Sequence, residues 1–355
     1  MFYSIQHLTK FHYASPVSES VMEARMHPRS EGNQRCLTFH LAVSPRCRVF
    51  AYRDHVGNNI HHFDIPGQHS YLVIVAESLL DMQPSLEIPS SLSADAWAEA
   101  DAMVKMGDYW EMLLPSEFAQ PTPGLIELAR QMDVCRRGDP LSLLRELNQR
   151  LYDWFEYVPK STKVDSPIDH AIETRQGVCQ DLAHIMIALV RRAKIPCRYV
   201  SGYLYRSAQS HDRSVVDATH AWVEAFLPPL GWVGFDPTNC LLAGDRHIRT
   251  AIGRDYADFP PTRGIFRGQT PSELSVAVRV TASVEQPELE HGLPVPEEWS
   301  LLVEQAQEPP PVPAKNMQQE QQQQYSQVRR FIPPEHERDA RAHIRLLPFA
   351  SCRGF

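Results

Sequence analysis

The segment Arg175-Gln176-Gly177-Val178-Cys179-Gln180-Asp181-Leu182-Ala183-His184 places a cysteine two residues after a glycine, where a long apolar stretch begins. Gly177 permits a tight turn, and Cys179 then falls in the first turn of a helix. The buried face of that helix is Leu182, Met186, Leu189 and Ala193, at spacings of three and four from the cysteine. Unpaired N–H groups and the helix dipole at such a position favour an anion, hence the thiolate over the thiol. The thiolate is the nucleophilic form. Taken alone, Cys179 reads equally well as a small apolar residue on a core helix.

A cysteine that accepts an acyl group needs a histidine, and the histidine needs an orienting carboxylate. With 16 histidines in the chain, the presence of one means little. The informative stretch is Asp217-Ala218-Thr219-His220-Ala221-Trp222-Val223-Glu224-Ala225-Phe226, followed by Leu227-Pro228-Pro229-Leu230 and Gly231-Trp232-Val233-Gly234-Phe235-Asp236-Pro237-Thr238-Asn239. Two strands flanking a Pro/Gly turn make a hairpin. Centred on Pro228, it puts His220 directly opposite Asp236 with Cβ atoms about 5 Å apart. Other registers are open, and a one-residue slip would undo the pairing. Separately, His220 reads as a hydrogen-bonded strand histidine and Asp236 as an Asx-type turn before Pro237.

The elements that must position these residues follow from pattern. From residue 2 to about 80 the chain alternates in short runs, such as Thr38–Val43, Arg48–Tyr52 and Ser70–Val75. Ser44-Pro45, Gly57-Asn58-Asn59 and Pro66-Gly67 separate them. This is the pattern of an antiparallel sheet with one face on a core and the other toward solvent or a neighbour. Helical character begins near residue 90. Ala94–Met106 stops at Gly107. Asp139-Pro140 supplies a cap and first-turn proline for Leu141, Leu144, Leu147, Leu151, Trp154 and Phe155. Ser166-Pro167 opens a short helix, and the cysteine helix runs from Cys179 to about Lys194, before Ile195-Pro196. Strands are expected over Arg198–Tyr205, Val215–Leu227, Trp232–Phe235 and Ser275–Val284. Helices followed by strands indicate α+β rather than a doubly wound sheet. Pro309-Pro310-Pro311-Val312-Pro313 and the glutamine-rich run 318–324 cannot bury enough surface to offset ordering. The expected division is a β-rich domain over 1–85, a core over 86–285 and a mobile Pro/Gln-rich tail over 286–355.

Composition narrows the function classes. The 355 residues are 43% hydrophobic and 22% charged, as in ordinary globular proteins. A net charge of −8 argues against a dedicated nucleic-acid surface. No apolar run reaches the roughly 18 residues that span a bilayer, and the first residues lack the pattern of a secretory signal. Seven cysteines without a Cys-x-x-Cys do not form a disulfide framework. The expectation is a reduced, cytoplasmic protein that binds neither nucleic acid nor membrane.

Three motifs, Gly-Val-Cys-Gln-Asp at Cys179, Asp-Ala-Thr-His-Ala-Trp at His220 and Gly-Phe-Asp-Pro-Thr-Asn at Asp236, resemble the transglutaminase-like superfamily in type and order. More narrowly, they resemble its bacterial members with a β-rich N-terminal domain. Arg198-Tyr199-Val200-Ser201-Gly202-Tyr203 and Gly253-Arg254-Asp255-Tyr256-Ala257-Asp258 also match, as do Ser15-Pro16-Val17 and Asp54-His55-Val56-Gly57-Asn58 in the first domain. The resemblance covers about residues 1–285. It implies a papain-like core, with the Cys-bearing helix packed on an antiparallel sheet bearing His and Asp. It further implies a Cys179–His220–Asp236 triad with no metal or organic cofactor. In this reading Cys179 attacks an amide carbonyl, commonly of a glutamine side chain, and His220 protonates the departing amine. Asp236 holds the imidazole, and an amine or water resolves the thioester. The Cys179 N–H is the first oxyanion donor, with Gln176 and Tyr157 as candidates for the second. Trp222 either shields the thioester or is a cross-strand core aromatic.

Other residues carry plainer expectations. His184, about 140° around the helix from Cys179, is expected to hydrogen-bond in the core. Asp181 suits the helix dipole or a contact with Arg175. Arg254, Asp255 and Tyr256 suggest a structural ion pair. His211, Asp212, Asp217 and His220 lack compact metal-ligand spacing. Cys197 reads as buried structure. The implied substrate is a peptide or protein, with an amine as a further acceptor. The oligomeric state is open. The alternative is a catalytically silent module of the same fold that binds peptides or partner proteins.

Overall fold

The computed structural model describes residues 1–207, 210–214 and 218–287. The first half supplies β1 (Phe2–Ala24), β2 (Gln34–Ser44), β3 (Val49–Arg53), β4 (Asn59–Ile65) and β5 (His69–Met82). The helical stretch supplies α1 (Ala96–Met106), α2 (Pro123–Gln131), α3 (Pro140–Trp154), the two-residue β6 (Glu156–Tyr157), α4 (Ile168–Thr174), the two-residue β7 (Gln176–Gly177) and α5 (Cys179–Arg192). Then come β8 (Cys197–Leu204), β9 (Thr219–Leu227), β10 (Gly231–Asp236), β11 (Leu241–Leu242), β12 (His247–Gly253), β13 (Thr262–Arg267) and β14 (Ser272–Ser283). The tail expected over 286–355 lies, from residue 288 on, outside the described residues, as do Val215 to Asp217.

Local signals account for the helix ends. Gly107 sits at φ 86° and closes α1 in the left-handed region, where glycine has no Cβ penalty. The Asp139 carboxylate accepts from the N–H groups of Leu141 and Ser142, with Pro140 in the first turn of α3. Helix α2 went unread in the sequence, where its buried face is only Leu125, Leu128 and Ala129. The expected apolar stripe of α5 turns out to be too narrow. Every residue from Asp181 to Arg191 is buried, because α5 packs on β8 and β9 on one side and on α2, α3 and α4 on the other. A helix surrounded in this way is buried all round.

Two antiparallel sheets organise the rest. The N-terminal sheet runs β2-β5-β1-β4-β3, with β13 and β14 also pairing to β1. The long β1 pairs with β5 and β14 through its first half and with β4 and β13 through its second. The segment 262–283, grouped with the core on sequence, thus completes the N-terminal sheet. Strand pattern alone reveals a strand but not its partner. The second sheet runs β11-β10-β9-β8-β12 and carries α5 on one face.

The sheets meet where Tyr3, Ile5, Leu80 and Met82 pack against Tyr203 and Ile248. Two side-chain amides then cap β12, the edge strand of the second sheet. Gln34 donates to the Arg249 carbonyl at 2.9 Å and accepts from the Arg249 N–H at 2.8 Å. Asn58 does the same for Ile252, with both bonds at 2.8 Å. Each amide stands in for one residue of a neighbouring strand, so the edge is paired rather than open.

Candidate active site

Cys179 is the first residue of α5 and is half-buried. What fixes it is the strap before the helix. β6 and β7 pair in parallel, Glu156 with Gln176 and Tyr157 with Gly177. Asp181 reaches back from the first helical turn to accept the Val178 N–H at 2.9 Å and the Thr162 hydroxyl at 2.6 Å. Asp181 therefore caps the helix and makes no use of Arg175. Burial pushes its carboxyl above the usual range, against the pull of these hydrogen bonds. The left-handed residue of the strap is Arg175, at φ 56°, and not Gly177. Gly177 serves close approach instead. A Cβ there would lie 3.1 Å from Asp181 Cβ and 3.3 Å from Leu182 Cδ1.

His220 and Asp236 lie on β9 and β10. The observed register pairs Leu227 with Gly231 and Val223 with Phe235. The hairpin is thus centred on Pro229, and Asp236 sits two residues from direct opposition to His220. The expected register was off by two, which preserves the face. The reach is diagonal, and His220 Nε2 meets Asp236 Oδ2 at 2.8 Å. The turn residues explain the shift, since Leu230 N–H closes on the Leu227 carbonyl at 2.8 Å and Gly231 takes φ 75°.

The Asx-turn reading of Asp236 and its pairing with His220 are compatible, because they use different oxygens. Oδ1 accepts from the backbone N–H groups of Thr238 and Asn239 at 3.0 and 3.3 Å. Oδ2 accepts from His220, from Asn239 Nδ2 at 2.8 Å, and from His247 Nε2 at 3.3 Å. Asn239 ties in the preceding loop, its carbonyl oxygen accepting from the Arg213 N–H at 2.8 Å. His247, on β12, went unnoticed in the sequence because it lies outside the hairpin and only the sheet order brings it near. Burial would raise the Asp236 carboxyl, but the facing imidazoles outweigh it and hold the group far below the carboxylate range.

Burial alone would lower His220. The Asp236 charge and its hydrogen bond, with a smaller contribution from Cys179, outweigh that and lift it to about 10. Nε2 is committed to Asp236, so Nδ1 is the ring nitrogen that the carboxylate does not use. His220 and Asp236 are thus joined by a hydrogen bond, and Cys179 is near enough to add to the rise of His220. Trp222 is fully buried and presents no surface to a channel. Its ring lies 6.1 Å from that of His220, the planes inclined by 25°. It fits because Gly202 leaves space in the flanking strand, where a Cβ would be 2.8 Å from Trp222 Cη2.

The candidates for a second oxyanion donor stand differently. Gln176 donates its amide to Glu156 at 3.2 Å. Tyr157 lines a cavity of about 550 Å³ with Trp154, Arg175, Gln176 and Arg213. His184 accepts the Tyr256 N–H at 3.2 Å and stacks on Phe118, and burial lowers it to about 3. It is a core histidine, as the sequence suggested. Arg254 pairs with Asp258 at 2.8 Å. Asp212 is held by Arg246 and Arg206, while His211 is exposed and Asp217 lies outside the described residues. Among the described residues, only His220, Asp236 and His247 gather donor atoms within 4.8 Å, as a metal site would need. The hydrogen bond of each imidazole to Asp236 Oδ2 accounts for that proximity.

Residues 3–81 match the bacterial transglutaminase-like N-terminal region, and residues 128–237 match the transglutaminase-like superfamily. An uncharacterized protein of Mycobacterium leprae is 30% identical over 278 residues, covering 78% of this chain and 97% of that protein. One from Mycobacterium tuberculosis is 33% identical, covering 77% and 90%. A protein-glutamine gamma-glutamyltransferase of Pseudomonas aeruginosa is 36% identical over 108 residues, which are 28% of this chain and 16% of that protein. In fold, the chain is similar to a candidate cysteine protease from Cytophaga hutchinsonii, with a TM-score of 0.60 at 21% identity over 81% of this chain and 93% of that one. With both halves matched in order and the mycobacterial relatives covered almost end to end, the chain belongs to the bacterial transglutaminase-like family and has its α+β, papain-like fold.

Proposed function

We propose that this protein is a cysteine-dependent enzyme that transfers or hydrolyses acyl groups at amide bonds of a peptide or protein through a thioester on Cys179. The observation that carries this reading is the 2.8 Å hydrogen bond from His220 to a fully buried, five-times hydrogen-bonded Asp236, with a cysteine at the start of α5 to serve as nucleophile. Cys179 attacks as the thiolate paired with the His220 imidazolium, its sulfur adding to the carbonyl carbon while the carbonyl electrons pass to oxygen. The Cys179 N–H points out of the helix start and takes that oxyanion, with Gln176 or Tyr157 as the second donor. When the carbonyl re-forms, the C–N bond breaks and the leaving nitrogen takes the proton from His220. Water or an amine then gives its proton to the neutral His220 as it attacks the thioester, the C–S bond breaks, and thiolate and imidazolium are restored. Asp236 keeps the imidazole turned and stabilises its charged form throughout.

None of these steps calls for a metal or organic cofactor. The setting proposed is cytoplasmic, and the cysteines among the described residues are all free thiols. No helix among the described residues is long and apolar enough to cross a membrane. The partner proposed is a peptide or protein substrate, joined by an amine where transfer rather than hydrolysis occurs.

The test is intact-mass analysis with a glutamine peptide and a labelled amine, alongside iodoacetamide labelling at neutral pH. An acyl-enzyme adduct, or product formed with loss of ammonia, is expected from the wild type and absent from Cys179→Ala. Saturable peptide binding without turnover, with equal labelling of both proteins, would make the chain a peptide-binding module instead.

A further inference from the structure

His247 is as buried as His220, at 2% against 4% exposure, yet no step above uses it. Its ring is fixed at both nitrogens. Gly244 N–H points at Nδ1 at 3.3 Å, so that nitrogen is the acceptor and the ring's one proton sits on Nε2. Nε2 in turn faces Asp236 Oδ2 at 3.3 Å, the same oxygen that holds His220. The edge of the Trp222 ring completes its surroundings, at 5.2 Å and 71°.

Two imidazoles on one carboxylate oxygen divide its capacity to accept. Burial above all, with the charges on His220 and the neighbouring Arg246, disfavours a second imidazolium here, and together they outweigh the pull of Asp236. His247 is therefore a neutral donor. We propose that His247 is a positioning residue for the site: its Nε2–H shares Asp236 Oδ2 with His220, keeping the carboxylate in place and limiting its hold on the His220 proton. This rests on the function proposed above, because limiting that hold matters only if His220 must give the proton to a leaving amine. A catalytic acid works best when its proton is not bound far more tightly than the operating pH requires.

The groups that face His247 are Asp236 from β10, His220 and Trp222 from β9, Gly244 from the preceding turn and Arg246 beside it in sequence. Replacing His247 with leucine removes the donor at similar bulk and leaves His220 with a larger share of Oδ2. Glutamine keeps an N–H at the reach of Nε2.

The experiment compares wild type, His247→Leu and His247→Gln in turnover and in the pH profile of Cys179 alkylation, with 15N imidazole spectra of the wild type. His247→Leu is expected to lower kcat about tenfold with little change in KM, and to move the alkaline limb of alkylation upward by about half a unit or more. His247→Gln is expected to recover most of both. In the wild-type spectrum His247 should be neutral at pH 7, with its proton on Nε2. A wild-type spectrum with the proton on Nδ1, or a folded His247→Leu with unchanged kcat and alkylation profile, would overturn the assignment. So would glutamine failing as badly as leucine. The spectrum needs neither turnover nor a folded variant. A wild type without turnover but with the Nε2 tautomer would therefore sink the proposed function and leave the hydrogen-bond assignment standing.

Discussion

His220 is hydrogen-bonded to the buried Asp236 of the neighbouring strand, and its charge state sets how the site responds to pH. Its value is raised from 6.5 to about 10, so the folded protein holds this proton where the unfolded chain would release it. The stabilisation from pairing with Asp236 is complete below about pH 6.5 and is lost as pH rises through about 10. Alkylation of Cys179, if it requires the imidazolium partner, should fall along the same limb, which stopped-flow labelling between pH 6 and 11 would read. Asp236→Asn should lower turnover by about 10²–10⁴-fold by removing the charge that holds the imidazolium. A Cys179→Ala baseline tells that loss from background hydrolysis. Because hydrogen bonding explains why His220, Asp236 and His247 lie together, dialysis against a chelator should leave turnover unchanged. A loss restored by one divalent ion would assign those three residues to a metal.

At the scale of elements, the hairpin and its neighbours place the site through what they leave out. Gly202 pairs with His220 across β8 and β9. A Cβ there would lie 2.0 Å from the Ile248 carbonyl oxygen. Backbone at that distance cannot swing aside, so Gly202→Ala must push β12 away from β8. We expect a loss of about 1–3 kcal/mol in urea unfolding, with a fall in turnover as His247 is carried off with β12. An unchanged midpoint and rate would mean that β12 shifts freely. The hairpin was legible in outline, since alternation and a Pro/Gly turn mark two strands. Its register was not, because Pro228-Pro229-Leu230 allows more than one closure and the backbone bond from Leu230 to Leu227 decides. His247 was invisible for a related reason. β12 follows β11 in sequence but pairs with β8, and no local pattern states that order.

Across the whole molecule, the N-terminal sheet works as a clamp on the strand that carries His247. Asn58 and Gln34 satisfy backbone groups of β12 that would otherwise be buried without partners. Asn58→Ala should cost on the order of 2 kcal/mol, the penalty of leaving such groups unpaired. Faster amide exchange of Ile252, ahead of global unfolding, would report it. The adjoining Glu224 is fully buried, between Arg198 at 2.6 Å and Arg249. Burial would raise its carboxyl, but the two guanidinium groups outweigh that and bring it down to about 2. Its contribution to stability is present above about pH 4.5 and lost as pH falls through about 2.

The sequence by itself determined the family, the α+β class, the cysteine at a helix start and the shared face of His220 and Asp236. All of these rest on local pattern, and caps, alternation and motif order survive a register error of two. The tertiary structure decided which oxygen of Asp236 does which task, that a second imidazole shares it, and that β13 and β14 belong to the first sheet. Those outcomes depend on contacts between residues far apart in the chain. Such pairings are set by the packing of whole sheets, which no stretch of sequence specifies alone.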